Sequence, residues 1–304
     1  MLEPKHIRIV SPSGAIDPTY IDDSSARLRE WGFAVSEGRY ARAKAGRFAG
    51  TDLERVSDLN EALQDPETDY VLCSRGGYGL QRIIDRVVPI SKPIIGFSDI
   101  TCLHQLAAMQ HTPSLHALMC KHIATLDPAL QPVECWREAL SDECKSLIYK
   151  QKAHPFNRVG EVRSTIIGGN LSVLYGLQGT PFGLTAVLPT YATPPILFIE
   201  DIAERHYHID RMLHNLRLSG VFEQIGGLIV GQFTDCQDDP AMGCTVMQTI
   251  REAVDDYSFP VLFDFPAGHV EQNMPLWFGT PTILSISEEG SVLSVQNAAA
   301  AAKW

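Results

Sequence analysis

The 304-residue chain has no C-x-x-C pair and no cysteine–histidine spacing that suits zinc. Its seven cysteines, Cys73, Cys102, Cys120, Cys135, Cys144, Cys236 and Cys244, are an odd and scattered set. They argue against a disulfide framework and predict reduced, mostly buried thiols. No stretch approaches the ~18 consecutive apolar residues that span a bilayer. The opening Met1-Leu2-Glu3-Pro4-Lys5-His6 also lacks the basic-then-apolar order of a secretory signal. A cytoplasmic protein with no membrane partner is expected. Basic residues are in deficit, 25 against 36 acidic for a net charge of −11, which disfavours binding by phosphate neutralisation. Nucleic acid is therefore not an expected partner. No internal repeat is visible, and the low-complexity run Ala298 to Ala302 before Lys303-Trp304 reads as a frayed end.

What is present is the composition of a folded soluble chain, 45% hydrophobic and 20% charged, with a length that suggests two domains of ~150 residues each. Residues 1–125 alternate short β-branched runs with helical patterns. His6 to Val10 reads as a strand that stops at Ser11-Pro12-Ser13-Gly14, and Asp52 to Leu63 as a helix with one apolar face. Asp69 to Cys73 is the next strand, Gly79 to Val88 a helix, and Pro93 to Phe97 a strand. Such βα units predict an α/β fold, a Rossmann-like first domain with a mainly parallel sheet. Proline-interrupted residues 126–160 read as a linker. Residues 161–304 read as a second, β-rich α/β domain, with strands at Ser164–Ile167, Ile196–Ile199, Gly227–Val230 and Pro260–Phe263 and a helix over Ile209–Leu218.

In Ile94-Ile95-Gly96-Phe97-Ser98-Asp99-Ile100-Thr101 a strand runs straight into a helical pattern. A strand-to-helix turn displays Ser98 as a nucleophile and offers the backbone N–H of Asp99 to a developing oxyanion. The match to G-x-S-x-G is incomplete, with Ile100 at the second glycine, and an ordinary helix N-cap is the competing role for such a serine. Cys73-Ser74-Arg75-Gly76-Gly77-Tyr78-Gly79 also follows a strand. Its glycines permit close backbone approach, as an oxyanion loop needs, and equally suit a structural turn. It fits neither G-x-G-x-x-G nor a P-loop.

Glu200 and Asp201 end the apolar strand Ile196 to Ile199, a position that calls for a compensating cation or histidine unless they only cap the next segment. His269 in Pro266-Ala267-Gly268-His269 lies on a later loop, where an imidazole can act as a base. Together, Ser98, Glu200 and His269 supply the nucleophile, orienter and base of acyl transfer. His206, His208 and His214 have spacings that suit no common metal motif and read as a wet helix face, and Asp235, Asp238 and Asp239 lack the rest of a calcium loop. Neither a metal nor an organic cofactor is expected.

Several segments carry a family resemblance in order along almost the whole chain. They are Arg47-Phe48-Ala49-Gly50-Thr51 with Arg55 and Asp58-Leu59-Asn60, Ser74 to Gly79, Gly96-Phe97-Ser98-Asp99, Gly168-Gly169-Asn170-Leu171, Glu200-Asp201 with Tyr207 and Ile209 to Leu213, and Gly268-His269. On these the chain resembles the bacterial LD-carboxypeptidases, serine peptidases that remove terminal D-alanine from murein tetrapeptides during cell-wall recycling. The resemblance implies Ser98 as nucleophile, Glu200 as the orienting acid and His269 as the base, assembled across a domain boundary in a protein that is usually a homodimer. It implies oxyanion donors at Asp99 and in the Gly76-Gly77 turn.

A carboxypeptidase must hold its substrate's free carboxylate. Arg75 suits that role by bidentate geometry, although a structural ion pair would occupy it equally well. Tyr78 and Asn170 are further candidates for polar contacts. The family's His-Gly-Pro-Met segment is His116-Ala117-Leu118-Met119 here, expected to line the pocket. A relative that hydrolyses microcin C carries extra residues between serine and glutamate, whereas 102 positions separate Ser98 from Glu200 here, which favours the murein peptidase. The rival readings are a microcin-type amidase and a non-catalytic murein-peptide-binding protein.

Overall fold

The computed structural model describes residues 4–298, so the tail beyond Ala298, expected to fray, lies outside the described residues. The first strands and helices follow the alternation in the sequence: β1 (His6–Val10), α1 (Pro18–Glu30), β2 (Ala34–Glu37), α2 (Asp52–Gln64), β3 (Tyr70–Cys73), β4 (Ile94–Gly96), α3 (Thr101–Met109) and β5 (Ser114–His116). Local chemistry fixes their starts. Asp17 caps α1 by accepting from Thr19 N, with Pro18 in the first turn, and Thr51 and Glu54 form a reciprocal capping box on α2.

Strands β5, β4, β3, β1 and β2 lie parallel in that order, so β1 sits between β2 and β3 and the winding reverses beside it. In a doubly wound sheet the crevice at the carboxyl ends of the strands next to this reversal is the usual place for a ligand. The loops after β1, β3 and β4 converge there. The expected helix over Gly79 to Val88 is instead two single 3₁₀ turns, Leu80–Arg82 and Ile84–Arg86. Gly77 and Gly79 stand at φ 111° and 133°, and Val87-Val88-Pro89 closes the segment, so no regular helix can propagate through it.

Residues 126–160 are more than the expected linker. They contain α5 (Gln131–Ala139), preceded by the short α4 (Cys120–Thr125), and the strand β6 (Ser146–Lys152). The short alternation Leu147, Tyr149 inward and Ile148, Lys150 outward marks β6, and the prolines on either side hid it. It pairs with a strand near the other end of the chain. The second sheet comprises β6, β7 (Gly160–Asn170), β8 (Ile196–Ile202), β9 (Gly227–Thr234), β10 (Val261–Leu262), β12 (Pro281–Ser287) and β13 (Gly290–Gln296), in the order β10-β9-β8-β7-β12-β13-β6. The run β10 to β7 is parallel, and β7, β12, β13 and β6 are antiparallel. The remaining α-helices among the described residues are α6 (Leu171–Leu177), α7 (Leu184–Val187), α8 (His206–Leu218) and α9 (Val246–Ala253).

One strand crosses between the halves. β11 (Leu276–Phe278) returns to the first sheet and pairs antiparallel with β5. A single apolar cluster also joins them, with Leu72, Ile95 and Leu115 from the first sheet packed with Phe198, Ile229 and Leu262 from the second. This shared core holds the carboxyl ends of β4 and β8 in a fixed relationship. The fold is thus a two-sheet α/β architecture, parallel in its first sheet apart from β11. Among the described residues no helix is long and apolar enough to cross a membrane.

Candidate active site

Ser98 lies one residue, Phe97, after β4 and opens a 3₁₀ turn, Ser98–Ile100, that runs into α3. Its φ is 69°, in the left-handed region that a non-glycine residue occupies only under strain. The turn is tight enough that two glycines are required around it. A Cβ on Gly76 would lie 2.8 Å from Ser98 Cβ and 3.0 Å from its Oγ, and one on Gly96 would lie 2.9 Å from Ile100 Cγ1. Ile100 stands where the serine-elbow pattern has its second glycine; here it is Gly96 that makes room.

The backbone N–H groups of Asp99 and Gly77 have no acceptor among the described residues. The carboxylate of Asp99 holds the surroundings: its Oδ2 accepts from Ser13 Oγ and from Leu80 N at 3.0 Å, and Gly14 N donates to Gly76 O at 3.1 Å. Arg55, buried in α2, donates to Pro12 O and Gly79 O and pairs with Asp52. Loops β1–α1, β3–β4 and β4–α3 are therefore tied into one unit beneath Ser98.

From the second sheet come the acid and the histidine. Glu200 sits on β8, fully buried, and its Oε2 accepts a hydrogen bond from Nδ1 of His269 at 2.7 Å. The approach is close because residue 268 is glycine; a Cβ there would lie 3.0 Å from the same oxygen. Phe97, the residue before the serine, packs edge-on against the His269 ring, centroid to centroid 5.0 Å. Burial disfavours the charged imidazole, but the hydrogen bond and charge of Glu200, with Asp201 behind it, outweigh this and raise the pKa of His269 above its usual value. With Nδ1 engaged by Glu200, Nε2 is the nitrogen left to face a substrate or Ser98.

Ser98 and His269 line one cleft of about 840 Å³, together with Arg75, Gly76, Gly77 and Phe97. Among the described residues Ser98 Oγ has no hydrogen-bond partner. A groove of similar size, about 860 Å³, lies over β6, β7, β12 and β13 and holds none of these groups. Among the described residues no group of three or more histidines, cysteines, aspartates or glutamates is placed to hold a metal ion.

Other sequence candidates are placed elsewhere. Asn170 is nearly fully buried and does not reach the cleft. Its Oδ1 caps α6 through Val173 N and its Nδ2 donates to Asp201. Tyr78 is exposed, packs on Phe48, and borders an adjoining pocket rather than the wall holding Ser98. Arg75 borders both spaces and donates to Ala15 O, with no carboxylate partner among the described residues. Of His116-Ala117-Leu118-Met119 only Met119 faces the cleft. His116 is wholly buried among Phe97, Phe198 and Phe278, and burial drives its pKa well below the usual histidine value.

His206 is likewise no wet residue: it is buried, bonded to Thr249 Oγ1 and to Asp239 N, while His208 and His214 pair with Glu204 and Asp210. The cysteines are free thiols, with Cys73, Cys102 and Cys120 buried and the other four half-buried. Unforeseen cleft residues are Tyr20, Lys121, His122 and Glu271, brought in from α1, α4 and the loop after His269 with no sequence motif to announce them. Burial, with Lys121 beside it, pushes His122 down to about 4, so it is neutral at working pH.

Asp201, next to Glu200, accepts from Asn170 Nδ2, Ser172 N and Ile202 N. Burial and the neighbouring Glu200 charge outweigh these bonds and push its carboxyl up to about 7.

Comparison with known proteins identifies the family and the fold. The sequence profile of the LD-carboxypeptidase N-terminal domain matches residues 7–117, and that of the LD-carboxypeptidase C-terminal domain matches residues 163–284. A probable murein peptide carboxypeptidase of Bacillus subtilis is 30% identical over 297 residues, 94% of this chain and 91% of the relative. The microcin C7 self-immunity protein of Escherichia coli is 23% identical, over 88% of this chain and 86% of its own. The crystal structure of muramoyltetrapeptide carboxypeptidase from Oxalobacter formigenes has the same fold, with a TM-score of 0.85, 24% identity, and coverage of 96% of this chain and 99% of that one.

Proposed function

The chain belongs to the LD-carboxypeptidase family, hydrolases of the carboxypeptidase type, and on that premise we propose that it is a serine carboxypeptidase releasing terminal D-alanine from murein tetrapeptide. The observation that carries this reading is the 2.7 Å Glu200–His269 bond, which opens on the same cleft as a serine held at φ 69°.

Ser98 Oγ attacks the carbonyl that joins an L,D-type centre, such as meso-diaminopimelate or lysine, to D-alanine. His269 Nε2 takes the hydroxyl proton and then gives it to the leaving amine. Glu200 keeps the proton on Nδ1 and stabilises the imidazolium. The N–H groups of Asp99 and of the Gly76-Gly77 turn receive the oxyanion, each worth roughly 3–4 kcal/mol in comparable sites. Water then cleaves the acyl-enzyme. Arg75, exposed beside the glycine turn with no acidic partner among the described residues, receives the free carboxylate of the leaving D-alanine.

The fold is shared with the microcin relative, so the acyl donor is what must be measured. Mass spectrometry after incubation with murein tetrapeptide and, separately, with an aminoacyl sulfamoyl nucleoside reads it directly. Tripeptide and free D-alanine from the first alone are expected; cleavage of the second alone would reassign the substrate.

A further inference from the structure

Adjoining the catalytic cleft is a second pocket of about 730 Å³, formed by the loop after β1 and the loop between β2 and α2. Ile16, Asp17, Arg75 and Gly77 line both spaces and form their common wall. In a chain with an acidic excess of 11, this pocket gathers Arg42, Lys44, Arg47 and Arg75. Arg42 is neutralised by Glu37 and Asp22, at 2.7 and 2.6 Å. Lys44 and Arg47 are exposed and have no side-chain hydrogen bond or ion pair among the described residues, and Arg75 meets only a backbone carbonyl.

The pocket's one carboxylate, Asp17, is already taken up as the cap of α1, bonded to Thr19 N and Oγ1. The scaffold that presents these cations is fixed. Arg47 O accepts from Ala15 N at 2.9 Å, Ala49 N donates to Ser13 O at 3.1 Å, and Ala45 and Phe48 close a tight turn between them. Unpaired cations held on a pinned loop beside a cleft raise the local concentration of an anionic ligand and orient it.

We propose that Lys44 and Arg47 form a subsite for a carboxylate on the acyl half of the substrate, upstream of the scissile bond. This deepens the peptidase reading above and rests on it. A carboxylate on the leaving residue lies only a few bonds from the attacked carbonyl, within the Ser98 cleft where Arg75 stands. The annex beyond the shared wall is open to a group farther along the chain. The preferred peptide is therefore acidic on its acyl side, and amidation of that carboxyl removes the charge that the annex reads.

The test uses binding as well as turnover. Affinity for the uncleaved tetrapeptide is measured by calorimetry on the Ser98→Ala protein, with and without Lys44→Gln and Arg47→Gln, using a peptide with a free upstream carboxyl and one with that carboxyl amidated. The free-acid peptide should bind at least tenfold more weakly to the charge variants. The amidated peptide should bind all forms alike, at the weaker level, and added salt should erode only the difference. In the Ser98-intact protein the same two substitutions should raise KM for the free acid and leave kcat within about twofold. Equal affinity for the two peptides, indifference to Lys44→Gln and Arg47→Gln, or no binding at all would overturn the subsite. D-alanine release with such indifference would overturn it while leaving the peptidase reading intact. Charge-dependent binding without any turnover would sustain the subsite and remove the peptidase.

Discussion

Glu200 and His269 stand 69 residues apart in sequence and 2.7 Å apart in space, with Glu200 wholly buried and His269 at the cleft wall. A buried carboxylate whose Oε2 is given to one imidazole nitrogen fixes which tautomer that ring adopts. Glu200→Gln removes that constraint and the charge that raises the His269 pKa. We expect turnover to fall by roughly 10²–10⁴, since the analogous acid-to-amide change in a serine triad acts through the wrong tautomer. The acidic limb of the pH profile should also shift. A base works only when neutral, so a raised His269 pKa moves that limb to higher pH in the parent. In Glu200→Gln the limb should move to lower pH. A profile of kcat/KM against pH for both proteins checks the direction.

Ser98 carries backbone strain that serves its display, and relieving it should separate stability from activity. At φ 69° glycine has no Cβ penalty, so Ser98→Gly should stabilise the fold by about 1 kcal/mol relative to Ser98→Ala while both lose turnover. Denaturant unfolding of the two variants measures the difference. Equal stability would mean that the left-handed conformation is not strained.

Gly76→Ala would bring a methyl group to 2.8 Å from Ser98 Cβ, against a turn already tied down through Gly14 and Asp99. The serine or the glycine turn must move. A displacement of about 1 Å at the nucleophile is expected to lower kcat/KM about 100-fold, with a stability loss of about 1–3 kcal/mol from overpacking. Steady-state kinetics on the folded variant, verified by circular dichroism, read the effect.

Asp201 gives the fold a pH signature. Its folded-state carboxyl, pushed up to about 7, binds a proton over a range in which the unfolded chain, at its ordinary 3.8, does not. Stability should therefore fall as pH rises from about 4 to about 7 and level off above, as far as this group contributes. Asp201→Asn keeps the side-chain shape and removes the titration. The difference in Tm between pH 5 and pH 8 should shrink in that variant, and an undiminished difference would assign the dependence to other groups.

The parallel first sheet was legible because βα units announce themselves: apolar runs such as Tyr70 to Cys73 followed by glycine turns, and Leu59 and Leu63 on one face of α2. Ser98 was legible for the same reason, since the strand-to-helix handover is written in consecutive residues. What the sequence hid was long-range pairing. β6 looked like linker because its partner, β13, is more than a hundred residues away, and β11 gave no sign that it would return to the first sheet. A helix cap and a substrate ligand call for the same side chain at Asn170, and the structure shows it as the cap of α6, bonded to Asp201. Arg55 and Asp99 stand in the segments that carry the family resemblance, but that they tie the loops beneath Ser98 through Pro12 O, Gly79 O, Leu80 N and Ser13 Oγ follows from the fold and not from local sequence.

The proposed reaction depends above all on Ser98 as the nucleophile. The most direct test is the rate of D-alanine release from murein tetrapeptide by the parent protein and by Ser98→Ala, side by side, each shown to be folded. Steady release by the parent and none above the uncatalysed background from the variant is the predicted result. Comparable release by both would contradict the account at its centre.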